Sequence, residues 1–339
     1  METAEQDRPV TFSFISPVYN EADGLEELTR RLTAVAEQLG EPYEIIFVND
    51  GSTDESGAVL RRLADRDRRI KIVEFSRNFG HQVAVTAGYD HAAGRAVISL
   101  DADCQHPPEM IPQLIDRWRE GYEVVYTVRQ DTEGISAFRR GLGRLAYRLI
   151  RLCSGVELTD QADFRLLDAG AVAAVRSARE HARLVRGLVR WVGFRQVSVP
   201  YKAGQRAAGK SSYSLRQLAG MLAAGVFNYS VRPLRLAPMI GAIMLAVVAV
   251  YTVVSLLLWP FGISAGGWTH VVMMMLGLFG LQFMLIGLLG EYIGRIFEEA
   301  KARPLYVVRE RIGFAKPEAG AGPSETKADR KSGRFCVYT

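Results

Sequence analysis

The sequence predicts an α/β protein built on a mostly parallel sheet and tethered to a bilayer by two helices. Three observations predict it. Between Val10 and Arg129, short β-branched runs alternate with helical patterns, the alternation that builds parallel sheets with helices on both faces. The carboxyl ends of those runs are polar and acidic, and in such sheets ligands bind at those ends. Beyond Arg235, the segments Pro238 to Trp259 and Trp268 to Leu289 carry no charged residue over about the 20 residues a spanning helix needs.

The soluble elements follow in order. TFSFISP, YEIIFVND, IKIVEF, AVISLD and EVVYTV read as strands, and helices are expected over Glu21 to Leu39, Asp54 to Ala64, His81 to Ala93 and Pro108 to Glu120. The strand ends then carry Pro17-Val18-Tyr19-Asn20-Glu21, Asn49-Asp50-Gly51, Ser76-Arg77-Asn78 and Asp101-Ala102-Asp103. The expected catalytic domain runs over 10–210, after a flexible stretch at 1–9.

The apolar segments sort the rest. Arg232 and Arg235 precede the first span, Arg295, Lys301 and Arg303 follow the second, and the connecting PFGISAGG is uncharged. The positive-inside rule therefore puts the catalytic domain and both termini in the cytoplasm, as a multi-pass protein of the inner (cytoplasmic) membrane, with Trp259 and Trp268 at the interface. The expected span region is 236–297 with an external loop at 260–267. In ISAFRRGLGRLAYRLIRLC, Arg140, Arg144, Arg148 and Arg151 share one helical face and Phe138, Leu142, Leu145, Leu149 and Leu152 gather away from it. Beside two spans, 135–153 reads as an interfacial helix and 211–235 as a juxtamembrane amphipathic segment. A cytoplasmic segment is expected at 298–314, and the Lys-, Ala-, Gly- and Ser-rich 315–339 is expected to be disordered.

With 339 residues and 48% hydrophobic content, the chain has enough material for a sizeable core. Its net charge of +5 lies largely in Arg-rich stretches flanking apolar segments, which points to anionic lipid or phosphate and not to nucleic acid. Cys104, Cys153 and Cys336 show no framework or ligand spacing, as expected of reduced thiols. METAEQDRPV has no apolar core of a signal peptide.

The chemistry concentrates at LDADCQHPPE. Strand residues two apart share a face, so Asp101 and Asp103 can present two carboxylates together. Such a pair suits a hard divalent ion shared with a substrate's phosphates, with Gln105 as a further ligand or second contact. Equally, Asp103 can cap the helix that Pro107-Pro108 begin. In VNDGSTDES, Ser52 and Glu55 have capping-box spacing, which leaves Asp50 as an acid at a strand end, where a ribose or base could bond. Tyr19 is available to stack on a base, and Glu21 stands at a helix start. Neither GxGxxG nor GxxxxGK[ST] occurs, so neither a dinucleotide fingerprint nor a P-loop is supported.

PVYNE, VNDGSTD, SRNFGHQ, LDADCQHPPE and GEYIGRIFEEAKARPLYVVRE, in this order, resemble the polyprenyl-phosphate glycosyltransferases of the inverting family 2 group, from Val10 to about Gly313. The resemblance implies a GT-A fold, a nucleotide-sugar donor, Mg²⁺ or Mn²⁺, and a polyprenyl phosphate acceptor in the bilayer. It implies that Pro17, Tyr19, Glu21, Asp50, Asp101 and Ala102 hold the nucleotide, and that Asp101, Asp103 and Gln105 hold metal and diphosphate. Cys104 stands where the family more usually has leucine. Asp163-Phe164-Arg165 is similar to a GDFR motif of the glucosyltransferase branch, with Ala162 in place of its glycine. This points to UDP-glucose as the first donor to test, and to Asp163, with Asp160 beside it, among the catalytic carboxylates together with Asp103. Arg129, Arg165, Arg206 and Lys210 are expected to meet donor or acceptor phosphates, while His81 and His106 are expected to serve structure.

Two other readings compete. A processive polysaccharide synthase usually carries QxxRW, of which Gly187-Leu188-Val189-Arg190-Trp191 keeps only Arg-Trp. A non-catalytic nucleotide-sugar-binding partner is the other, against which the intact Asp101, Asp103 and Gln105 argue. A homo-oligomer, dimer or tetramer, is expected through the spans or RPLYVVRE.

Overall fold

The computed structural model describes residues 9–103, 105–130, 161–181, 183–202, 267–314 and 336–337, with scattered positions between 243 and 260. The chain divides into two compact units. One comprises Met1–Ser136, Leu158–Ser212 and Arg303–Thr339, the other Ala137–Glu157 and Tyr213–Ala302.

The first unit is a layered α/β domain. Its strands are β1 (Phe12–Val18), β2 (Tyr43–Asn49), β3 (Ile70–Phe75), β4 (Ala96–Ser99), β5 (Val124–Gln130), β6 (Gln161–Asp168), β7 (Gln196–Lys202), β8 (Val307–Ile312) and β9 (Cys336–Val337). They form one sheet in the order β7-β5-β6-β4-β1-β2-β3-β8-β9. The centre, β4-β1-β2-β3, is parallel as expected. At the flanks the sheet departs from simple alternation: β6 enters antiparallel between β4 and β5, and β8 lies antiparallel on β3.

Burial explains the parallel centre. Every residue of β1 and β2 is buried, so their near-continuous apolar runs suit a sheet covered on both faces. One face packs Phe12, Phe14, Ile45 and Phe47 against Leu25, Leu28 and Leu32 of α1 (Leu25–Leu39) and Leu60 of α2 (Ser56–Arg66). The other packs Ile15, Ile46 and Val48 against Ala84, Ala87 and Tyr89 of α3 (His81–His91), with Val172 of α5 (Ala169–Ser177) and Val185 of α6 (Val185–Trp191). On the first face, α4 (Ile111–Arg119) follows a 3-10 turn at Pro108–Met110.

Local chemistry corrects two expectations. The Ser52/Glu55 capping box does not form, because α2 begins at Ser56. Ser52 Oγ instead accepts the Asn20 N–H, while Asp54 Oδ1 takes the Ser56 N–H. Asp103 does not cap the following helix either; its Oδ1 accepts the Gln105 N–H and bends the loop.

The VVRE end of RPLYVVRE enters the chain's own sheet as part of β8, paired with β3 and β9. Tyr306 stacks on Phe75 at 5.0 Å and its hydroxyl donates to Asp90 Oδ2. Within the tail expected to be disordered, Cys336–Val337 pairs with Val307 and Val308.

In the second unit, α7 (Gly267–Ala300) is a 34-residue helix, and among the described residues only its stretch Gly277–Ala300 passes as long and apolar enough to cross a membrane. The expected span ended at Leu289, but the helix continues through Glu291 and Arg295, which pair one turn apart at 2.6 Å and so keep their charges compensated. Phe279, Phe283 and Phe297 are exposed. The first expected span lies mostly outside the described residues. So do the helix at 135–153, the segment at 211–235, Cys104, Asp160, Arg206 and Lys210.

Candidate active site

The site assembles where the parallel strands end. Gly51, just past β2, has a φ of +67°, and a Cβ there would stand 2.5 Å from the backbone carbon of Arg77. Only glycine permits this approach. Asp50, 2% exposed, then accepts the Phe79 N–H at Oδ1 (2.6 Å) and the Gly80 N–H at Oδ2 (2.9 Å). Burial pushes its carboxyl up, and those two bonds pull it back. Asn-Asp-Gly thus holds the SRNFG loop, which delivers His81 as the first residue of α3.

His81 Nε2 lies 3.5 Å from Asp101 Oδ1 and 3.5 Å from Asp163 Oδ2. This imidazole links the DxD strand end to the DFR strand. Burial drives His81 toward its neutral form, but the bond to Asp163 and the charges of Asp101 and Asp163 outweigh it and raise its pKa. Expected to serve structure, His81 here bridges two site carboxylates. His106, given the same expectation, is 6% exposed, stacks on Phe164 at 5.4 Å and accepts the Asp101 N–H at Nδ1.

Asp163 is the most heavily bonded carboxylate of the group. Arg165 Nη2 donates to Oδ1 at 2.5 Å, Arg186 Nε to Oδ1 at 3.0 Å and Arg186 Nη2 to Oδ2 at 2.8 Å. Burial favours its protonation, yet the bonds from His81 and Arg186 and the charges of both arginines hold its pKa well below the usual carboxylate range. Arg165 is only 1% exposed. Expected to meet phosphate, it pairs here with Asp163. Arg186 had no place in the sequence reading, because a contact 23 residues from its partner leaves no local pattern.

Asp101, two residues past the end of β4, has Oδ1 buried and without a hydrogen-bond partner among the described residues. Burial pushes its carboxyl up, opposed by His106 and His81 and reinforced by the charges of Asp163 and Asp103. Ala102 is buried, whereas Asp103 and Gln105 are half-buried. Tyr19 stands 47% exposed beside the same edge. Pro17 is buried inside β1, and the Glu21 N–H is held by Ser56 Oγ. Arg129 lies on β5 opposite Tyr201 of β7. Among the described residues, no three His, Cys, Asp or Glu side chains converge as metal ligands.

Comparison with known proteins gives the family. A family model described as glycosyl transferase family 2 matches residues 13–168. The chain is 41% identical over 309 residues to an uncharacterized glycosyltransferase, YkcC, of Bacillus subtilis (strain 168), covering 91% of this chain and 96% of that one. It is 35% identical over 317 residues to the undecaprenyl-phosphate 4-deoxy-4-formamido-L-arabinose transferase of Edwardsiella ictaluri (strain 93-146), covering 91% and 97%. Among solved structures, glucosyl-3-phosphoglycerate synthase from Mycobacterium tuberculosis, in complex with Mn²⁺, uridine diphosphate and phosphoglyceric acid, aligns with a TM-score of 0.48 and 17% identity over 64% of this chain and 76% of that one. With an acidic strand-end site and relatives that match nearly its whole length, the chain belongs to glycosyl transferase family 2 and is a glycosyltransferase of the group that includes polyprenyl-phosphate transferases.

Proposed function

We propose that this enzyme moves one sugar from a nucleotide-sugar to a polyprenyl phosphate, with inversion, at the cytoplasmic face of the membrane. The observation that carries the chemistry is the Asp101–His81–Asp163 arrangement, in which a DxD carboxylate and the DFR carboxylate face one imidazole. The near full-length similarity to an undecaprenyl-phosphate sugar transferase supports the acceptor, and the apolar α7 supports work at a bilayer.

Asp101 and Asp103 suit Mg²⁺ or Mn²⁺. The buried Oδ1 of Asp101, which has no hydrogen bond among the described residues and His81 Nε2 at 3.5 Å, and the carboxylate two residues on are hard oxygen donors, and a site with few protein ligands fits a cation shared with the donor's phosphates. Gln105 stands next to them as a further oxygen donor. When bound, the cation stabilises negative charge developing on the departing diphosphate. Tyr19 supports the nucleotide by stacking, and Asp50 supports it indirectly through the loop it holds.

A phosphate oxygen of the acceptor attacks the anomeric carbon as the bond to the diphosphate breaks. With a second pKa of about 6, that phosphate is largely ionised at neutral pH and needs no strong base. Asp163, held ionised by two arginines, is a poor proton acceptor and a good orienting group.

UDP-glucose is the first donor to test, and UDP-4-deoxy-4-formamido-L-arabinose the second, given the named relative. Membranes containing the enzyme, undecaprenyl phosphate, Mg²⁺ and a radiolabelled donor should form an organic-soluble labelled lipid that carries one sugar. Asp103→Ala should abolish that product while leaving the protein folded. Long polymer, or no lipid product from any nucleotide-sugar, would overturn the reading.

A further inference from the structure

We propose that Tyr306 is a positioning residue for the reaction, fixing the loop and helix that carry His81. The inference rests on the glycosyl-transfer reading above and adds a residue to it.

The path begins at the loop. Ser76-Arg77-Asn78-Phe79-Gly80 joins β3 to α3, whose first residue is His81. The far end of the loop is held from β2, since Asp50 accepts both the Phe79 and the Gly80 N–H. Its near end is held from β8. The Ser76 N–H donates to Val307 O at 2.9 Å, and Ser76 O accepts from Arg309 Nη2 at 3.2 Å. Both backbone polar groups of the loop's first residue are therefore bonded by residues that follow α7 in the chain.

Tyr306, next to Val307, reaches the same unit from both sides. Its ring stacks on Phe75, the last residue of β3, with centroids 5.0 Å apart and planes at 21°. Phe75 meets Phe79 edge-on at 5.6 Å, and Arg77 Cζ lies 4.0 Å from the centre of the Phe79 ring. Tyr306, Phe75, Phe79 and Arg77 thus form a ladder running into the loop, made of ring and cation contacts that favour particular geometries. At its base, Tyr306 is 2% exposed and Phe75 0%. The Tyr306 hydroxyl meanwhile donates to Asp90 Oδ2 at 2.8 Å, in the last turn of α3. One side chain therefore grips the chain just before the loop and again at the end of the helix that follows it.

This grip matters because of what His81 must reach. Its Nε2 lies 3.5 Å from a carboxylate oxygen of Asp101 and 3.5 Å from one of Asp163. A shift of about 1 Å in the loop would lose one of them, and misplacement of that size costs up to about a hundredfold in rate. Asp50 fixes one end of the loop; the aromatic ladder fixes the other.

Ring and hydroxyl can be removed separately. Full-length wild type, Tyr306→Phe, Tyr306→Leu and Glu44→Ala are purified in detergent, and transfer is measured at a temperature where each is folded. Amide hydrogen exchange is followed by mass spectrometry in peptides covering residues 76–82. Tyr306→Phe loses the bond to Asp90 and keeps the ring, so it should melt earlier yet hold kcat within about twofold of wild type. Tyr306→Leu loses the ring. Its kcat should fall about tenfold, and exchange at the Phe79 and Gly80 amides should quicken about tenfold. Glu44→Ala, destabilised at the opposite ends of the strands, should exchange over 76–82 as the wild type does.

Unchanged exchange or wild-type kcat in Tyr306→Leu would overturn the proposal. So would an equal loss of kcat in Tyr306→Phe and Tyr306→Leu, or equally fast exchange in Glu44→Ala, because Tyr306 would then act through stability alone. If the wild type forms no lipid-linked sugar, the glycosyl-transfer reading fails on its own. The exchange comparison then stands by itself: faster exchange in Tyr306→Leu alone supports the hold on the loop, and equal exchange refutes it.

Discussion

Gln82 Oε1 accepts a hydrogen bond from the Val185 N–H at 2.9 Å, tying the first turn of α3 to the first turn of α6. These turns carry His81 and Arg186, the two groups that approach Asp163 from outside its own strand. Gln82 thus acts on Asp163 without touching it. Gln82→Ala leaves a helix-start N–H without its partner, at a cost of about 1–3 kcal/mol. The expected outcome is a modest fall in melting temperature with a larger fall in kcat. Gln82→Glu, which keeps an acceptor, should restore stability, and a stable Gln82→Ala with unaltered kcat would argue against the linkage.

Gly51 makes a different kind of contribution. At a φ of +67°, with the Arg77 and Asn78 backbone 2.5 and 2.6 Å from where a Cβ would sit, alanine must push the loop away. Two effects add: left-handed strain of order 1–3 kcal/mol and displacement of the Phe79 and Gly80 N–H groups from Asp50. Gly51→Ala should therefore lose most activity through His81, although it removes no polar group. Thermal denaturation combined with donor-dependent kinetics checks this, and full activity at reduced stability would separate the loop from the chemistry.

Much of this arrangement is visible in the chain before it folds. IKIVEF reads as a strand and forms one over the same residues, Ile70–Phe75, because its apolar side chains match the burial it finds. The acidic strand ends are legible for the same reason, since a parallel sheet puts those ends on one edge. QADFRLLD was read as a motif and not as a strand, because its antiparallel partners on β4 and β5 are set by long-range pairing. The contacts of His81, Gln82 and Arg186 leave no local pattern, because their partners lie many residues away. Arg165 reads from the sequence as a phosphate contact, because composition does not reveal that a carboxylate two residues before it, on the same strand face, can take a guanidinium into the core.

Asp163 allows a test by pH. Its pKa is depressed, so the stability it contributes is present above the unfolded carboxylate value and is lost only as pH falls through the much lower folded value. Between about pH 5 and 8 it stays ionised throughout. Asp163→Asn should therefore reduce kcat by a similar factor at every pH in that window and leave the shape of the profile unchanged. If the substitution instead removed an acid limb from the wild-type profile, Asp163 would be titrating as a base and the orienting role would be wrong.

Glu44 supplies the contrasting case, a charge network at the opposite ends of the strands. The carboxylate is 1% exposed. Its Oε1 accepts from Ser13 Oγ and the Ala93 N–H, and its Oε2 from Lys71 Nζ at 2.6 Å. Ser13 Oγ in turn accepts the Gly94 N–H at 2.8 Å. Four segments of the sheet therefore meet at one acid near the start of β2, whereas Asp50 follows its end. Removing one partner of a buried pair costs about 3–5 kcal/mol, since a lysine, a hydroxyl and an amide lose their acceptor together. Glu44→Ala should melt far earlier than the wild type, yet turn over at the wild-type rate at temperatures where it remains folded. A fall in kcat under those conditions, with full folding verified by circular dichroism, would mean that the two ends of the strands are coupled.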